Sequence, residues 1–294
     1  MAAKKKTVTP EEIIQAFKVH KEDMIIIDWA NLTQDRDGRV KYYINIIKLA
    51  DGTLADLILK YTAITIIGCK DPDTRKSGNK PIPATFGFYN DTLSGDGKNS
   101  PVGEAVYLIH KSWLKQVGDK TNEVYKGIVS GRPNITPFVQ EFRYNNTGTF
   151  EAMSKPICRI KYRCSKRESL QLRNPVRYVV DAKKKLLSDT INGMPIDLSN
   201  IHLIATSGSI ASGAINFGNT ILSTAGYANS AENESQIIAP SKGKRISDDE
   251  LYGDDLLSGL TNVSINDDPV EEDADEQVNN LLHLANSSNP KFIN

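Results

Sequence analysis

The 294-residue sequence predicts a β-rich fold, either an elaborated β-barrel or an α+β arrangement, ending in a disordered acidic tail. Three observations carry this expectation. Six to eight segments have strand character and one has clear helical spacing, with no regular strand–helix alternation of the kind that builds a doubly wound sheet. The charge is divided. Residues 246–294 hold twelve Asp and Glu against the single cation Lys291, a net −11, so the formally neutral chain carries +11 on residues 1–245. Beyond Ser241 apolar residues thin to short pairs such as Leu256-Leu257 and Leu281-Leu282. Too little surface can be buried there to offset chain entropy. Residues 1–240 are therefore expected to form a basic body and 241–294 the tail.

The first element is a helix over residues 9–20. Thr9 is its N-cap, Pro10 suits the first helical position, Glu12 completes a capping box, and Ile13, Ile14 and Phe17 form an apolar stripe. From Met24 the pattern turns to strand. MIIIDW reads as a buried strand, and RVKYYINIIKL and LADLILKYTAITIIG flank the turn ADGT, where Asp51-Gly52 signals a hairpin. IPATFGFY (82–89) is a further strand, and NDTLSGDGKNSP a loop. GEAVYLIHKSWLKQV is amphipathic through Ala105, Leu108, Ile109 and Trp113 and should be the main helix of the body. FRYNNTGTFEA joins short strands through a turn. RIKYRC, RYVVDA, a lysine-rich turn, and the segments IHLIATSG and GAINFGNTILSTAGYA complete the body.

No run of about 18 apolar residues occurs, so no segment is expected to span a membrane. The lysine-rich N-terminus lacks the apolar stretch of a secretory signal. Cys69, Cys158 and Cys164 are odd in number and form no CxxC pair. An extended chain would hold the last two ~20 Å apart, too far to bridge. A reducing compartment, cytosol or nucleus, is expected.

Eleven cations crowd residues 155–185: Lys155, Arg159, Lys161, Arg163, Lys166, Arg167, Arg173, Arg177, Lys183, Lys184 and Lys185. Only Glu168 and Asp181 oppose them, leaving +9 over 31 residues. Strand geometry points Arg159, Lys161 and Arg163 one way and Cys158, Ile160, Tyr162 and Cys164 the other. An ordinary solvated strand face is served by mixed signs. Nearly uniform positive charge repels itself unless a partner neutralises it, which points to a polyanion. The candidate binding residues are Lys41, Tyr43, Arg159, Lys161, Arg163, Lys166, Arg167, Arg173, Arg177, Lys183, Lys184 and Lys185. A single strand suits them better than a duplex, because no helix-turn-helix, zinc-finger or basic-zipper pattern offers a groove reader. Tyrosines instead sit beside cations, as in Lys41-Tyr42-Tyr43, Lys60-Tyr61, Arg143-Tyr144 and Arg177-Tyr178, the pairing that tracks phosphates and stacks bases. Tyr43 shares the face of Lys41 and suits either stacking or the core; Tyr162, opposite the cations, suits the core.

Catalytic patterns are weak, and neither a cofactor nor a metal is expected. His20, His110, His202 and His283 are scattered. Gly208 and Gly213 have P-loop spacing, but Ala214 and Ile215 follow where Lys and Ser/Thr are required. Asp28 could hold Mg²⁺ in a nuclease, yet no second carboxylate cluster accompanies it in the body.

Several stretches, in order, carry a resemblance: EEIIQAF; IDWANL (Asp28, Trp29, Leu32); VKYYINI (Val40, Lys41, Tyr42); PICRIKY (Pro156, Ile157, Arg159, Ile160, Lys161); and SGSIASGAIN (Ser207, Ser209, Ile210, Gly213, Ile215, Asn216). Over residues 10–220 the chain resembles the single-stranded-DNA-binding proteins of African swine fever virus and related large nucleocytoplasmic DNA viruses. The resemblance implies an OB-like barrel with added helices and strands, no catalysis, and a role in viral DNA replication or repair. The ligand is then single-stranded DNA, with RNA left open. Lys41, Arg159 and Lys161 carry over as cationic positions, while the other candidates rest on charge alone. The place of action would be the viral factory of the host cytoplasm, the nucleus or the virion. The acidic tail resembles those of other replicative single-strand binders, and would compete with DNA for the basic face or recruit replication proteins. Homo-oligomerisation is left open. The competing reading is a viral structural or scaffold protein whose basic face binds protein.

Overall fold

A computed structural model describes residues 6–69, 85–89, 101–128, 130–144, 147–165 and 169–239. The acidic tail, the loop expected over 90–100 and the candidates Lys166 and Arg167 lie outside the described residues. The elements are α1 (Pro10–His20), β1 (Ile25–Gln34), β2 (Lys41–Lys48), β3 (Leu54–Asp56), β4 (Ile58–Cys69), β5 (Thr85–Tyr89), α2 (Pro101–Val124), β6 (Ile135–Thr136), β7 (Val139–Tyr144) and β8 (Phe150–Lys161). They continue with β9 (Val176–Asp181), β10 (Leu186–Ser188), β11 (Thr190–Ile191), β12 (Met194–Pro195), α3 (Ile201–Ile204), β13 (Ile210–Asn216), β14 (Asn219–Ser223), β15 (Gly226–Asn229) and β16 (Glu232–Ala239). The protein is β-rich α+β. Among the described residues sixteen strands stand where six to eight were expected, because many are two to four residues long and exist through pairing rather than through a local pattern. No helix among the described residues is long and apolar enough to cross a membrane.

One sheet has the order β1-β2-β14-β15-β6, with β3 also on β2; a second has the order β10-β9-β16-β13-β4-β5-β8-β7, with a further pairing of β16 to β8; β11 and β12 form a ribbon. The described residues divide into two units. One comprises those up to Tyr61, Gly87 to Lys161 and Ala214 to Glu234; the other comprises Thr62 to Phe86, Tyr162 to Gly213 and those from Ser235 on.

In the first unit α1 opens with the capping box read from its sequence: Thr9 N–H donates to Glu12 Oε2 at 2.9 Å, and Glu12 N–H donates to Thr9 Oγ1 at 3.3 Å. The ADGT turn closes a β2–β3 hairpin with Ile47 opposite Ala55. It is tightened by Gly52 at φ +85° and by Thr53 N–H donating to Asp51 Oδ1 at 2.9 Å. Helix α2 buries Val102, Val106, Ile109, Trp113 and Val117, a stripe at helical spacing, and Leu108 is left half-buried beside it. One chain of buried hydrogen bonds runs under the helix. Trp113 Nε1–H donates to Thr220 Oγ1 at 2.9 Å, the Thr220 hydroxyl donates to Asn45 Oδ1 at 2.7 Å, and Asn45 Nδ2 donates to the Phe217 carbonyl at 2.7 Å. Low-dielectric surroundings strengthen such a chain, and it ties α2 to β2 and β14.

In the second unit β9 pairs antiparallel with β10 and parallel with the end of β16. Val179 and Ile237 form a small core with Leu187, Ile210 and Ala239 packed against it. The IHLIATSG segment contributes the single helical turn α3. Gly213 has φ +156°, and a Cβ there would lie 2.0 Å from the Ser235 carbonyl oxygen. That close approach of two backbones, rather than a phosphate, is what this glycine serves.

Candidate nucleic-acid interface

The alternation in RIKYRC is present in the folded chain. Cys158, Ile160 and Tyr162 are buried, Arg159 is exposed, and Lys161 and Arg163 are half-buried. The Tyr162 hydroxyl donates to Gln236 Oε1 inside the second unit. Burial pushes the Cys158 thiol up, so it stays a protonated core side chain. Cys164 is half-buried rather than in the core, and neither it nor Cys158 is in a disulfide.

Within the first unit Arg159 Nη2 donates to Gln140 Oε1 on β7 at 3.0 Å, which steadies the guanidinium on the surface. Lys161 has Glu232 directly opposite in the β8–β16 pairing, and its N–H donates to the Ala231 carbonyl at 2.8 Å. A buried acid, 7% exposed, therefore interrupts the uniform sign of this strand. No local reading could reveal it, because it comes from β16.

Within the second unit the Arg173 N–H donates to the Arg163 carbonyl at 2.7 Å, which brings these two cationic residues together. Arg177 is half-buried on β9. Lys183, Lys184 and Lys185 are all exposed on the turn between β9 and β10. Asp181 shapes that turn by accepting the Lys184 N–H at 3.0 Å, with Lys184 Nζ 3.8 Å from its carboxylate. Lys185 takes the left-handed conformation at φ +54°. The candidates thus form two sets: Lys41, Tyr43, Arg159 and Lys161 in the first unit, and Arg163, Arg173, Arg177 and Lys183–Lys185 in the second.

Lys41 and Tyr43 share one face of the first sheet, but Tyr43 is only 8% exposed. Its ring centroid lies 4.9 Å from that of Trp29, edge-on. A buried ring offers no stacking surface, so Tyr43 belongs to the core. Trp29 also meets Tyr227 at 5.9 Å, edge-on, and is itself half-buried. Burial raises the Tyr227 phenol, with the Tyr43 and Tyr125 hydroxyls adding to the effect.

Trp29 stands on a bulge. Between Ile27, opposite Asn45, and Leu32, opposite Tyr43, β1 advances five residues while β2 advances two. Asp28 holds the excess chain: Oδ1 accepts the N–H groups of Ala30 and Asn31 at 3.2 Å each, and Oδ2 accepts Asn31 Nδ2 at 2.8 Å. The Asn31 side-chain bond, helped by the backbone donors, holds this carboxylate below its usual range. The acid considered for Mg²⁺ is thus committed to its own loop. Among the described residues no group of three or more His, Cys, Asp or Glu converges.

No family model matches the chain, and no curated protein matches it.

Trp29 is the partly exposed ring that reasoning from adjacent cation–tyrosine pairs passes over. Trp29 is followed by Ala30 and Asn31, and Lys41 comes from β2, related to the Trp29–Tyr227 contact only through strand pairing. The Asp28–Asn31 spacing inside a strand-like run was the available signal, since such a pair turns the chain locally.

Proposed function

We propose that this protein binds single-stranded DNA, coating or protecting it by phosphate tracking and base stacking in support of viral DNA replication or repair. On this reading it belongs with the single-stranded-DNA-binding proteins of large nucleocytoplasmic DNA viruses and acts by binding, without catalysis. The observation that carries the proposal is the segregation within residues 155–185. Arg159, Arg173 and Lys183–Lys185 are exposed, while Cys158, Ile160, Tyr162, Val176, Tyr178 and Val179 are buried. Folding buries these six and leaves cations exposed on each unit, charge that a polyanion would neutralise.

An OB-like barrel with added helices and strands is the fold that suits this role, and the β-rich α+β architecture is compatible with it. The partners on this reading are single-stranded DNA, with RNA as a competitor ligand, and replication proteins reached through the acidic tail. The viral factory, the nucleus or the virion would be the place of action.

The test is fluorescence anisotropy of a labelled oligo-dT titrated with the full chain at two salt concentrations. The expected result is tight binding whose log K falls against log salt by about 0.7 for each phosphate neutralised, with duplex a poor competitor. Absence of oligo-dT binding at low salt overturns the reading and favours the scaffold alternative.

A further inference from the structure

The bulge on β1 leaves a feature that core packing does not require. Three additional residues leave the β1–β2 ladder, and the product is a half-exposed tryptophan rather than a buried one. Its plane is fixed from two sides, edge-on to Tyr43 at 4.9 Å and to Tyr227 at 5.9 Å. Its backbone is fixed by the three hydrogen bonds to Asp28. A half-exposed indole with so little freedom has already lost the entropy that a stacking partner would otherwise have to remove.

The register also sets a cation beside it. Lys41 is opposite Leu222, and Leu222 is opposite Tyr227, so all three share one face. Lys41 therefore stands two strand spacings, roughly 10 Å, from the tyrosine that Trp29 packs on. Arg39 is exposed on the same β1–β2 hairpin. Two of the nearby carboxylates turn back to their own chain, Asp28 as above and Asp35 by accepting the N–H groups of Arg39 at 2.7 Å and Val40 at 3.1 Å, while Asp37 is exposed at the turn.

We propose that Trp29 is a nucleobase-stacking platform, held by the Asp28–Asn31 bulge, with Lys41 taking a neighbouring phosphate of the same strand. The assignment rests on the single-strand reading above and adds a base contact in the first unit that the charge pattern does not contain.

Full-length protein tests it directly, because the chain has two tryptophans and the other, Trp113, is 0% exposed and hydrogen-bonded to Thr220. Unlabelled oligo-dT should quench the tryptophan emission. An abasic strand with the same number of phosphates should not. Trp29→Phe should keep most of the affinity, measured by anisotropy, and lose the quench. Trp29→Ala should weaken binding by roughly 5- to 150-fold with an unchanged salt slope, since stacking releases no counterion. Lys41→Ala should instead flatten the slope by about 0.7. If oligo-dT raises the anisotropy without quenching, or if the abasic strand quenches equally, the stacking assignment falls while single-strand binding stands. If oligo-dT does not bind at all, both fall.

Discussion

His110 shows how a single residue ties fold stability to pH. It lies on the buried face of α2, 2% exposed, with its ring 4.7 Å from Phe138 and Nδ1 without a hydrogen-bond partner. Burial lowers its pKa to about 4. The unfolded chain therefore takes up a proton as pH falls through about 6.5, and the folded chain does so only near 4. Stability is constant above that window and decreases as pH falls through it, by at most roughly 3 kcal/mol. Urea midpoints at pH 7.5 and 4.5 should differ in the wild type, and His110→Leu should remove most of the difference; an undiminished difference would place the effect elsewhere. This residue also marks what is legible in a sequence. A histidine within an amphipathic helix announces its face but not whether its ring nitrogen will find a partner. Tyr43 and Trp29 teach the same lesson from the opposite direction. Tyr43 looked available because Lys41 is two positions away, and Trp29 did not because its cation arrives from another strand. Local spacing assigns a face, and long-range pairing decides which ring on that face stays open.

Elements whose signals are local were readable in advance. The Thr9–Glu12 capping box, the Asp51-Gly52 hairpin and the alternation around Ile160 each depend on neighbours a few residues away, and each is present. Elements such as β6, β11 and β12 have two residues apiece and no pattern of their own. The lysine turn between β9 and β10 is an element on which function can be tested without disturbing the fold, because Lys183, Lys184 and Lys185 are exposed. Replacing all three with Ala should flatten the log K against log salt line for oligo-dT by about 2 and leave the unfolding free energy from urea titration within ~0.5 kcal/mol of wild type. An unaltered slope would take this turn out of the DNA track.

At the scale of the whole molecule the governing quantity is the division of charge, −11 on residues 246–294 and +11 on the rest. A tethered polyanion competes with a free one at an effective concentration set by the linker, without any specific contact. Deleting residues 246–294 should tighten oligo-dT binding and steepen its salt dependence, and a weaker complex from the truncated chain would refute the competitor role. What no local pattern could convey is the distance over which the chain assembles itself. Asn45 bonds the Phe217 carbonyl 172 positions away, and the first unit is drawn from three separate stretches.

That same sheet has a consequence for synthesis. Residues 41–44 of β2 find their second neighbour only in β14, which begins at Asn219. On the ribosome, at 5–20 residues per second, roughly 10–30 s separates the emergence of these two strands. Throughout that interval the β1–β2–β3 meander displays an open edge next to Ile44, the kind of template that recruits other nascent chains. Yield in a cell should therefore be governed less by the stability of the finished protein than by how well that waiting edge is shielded.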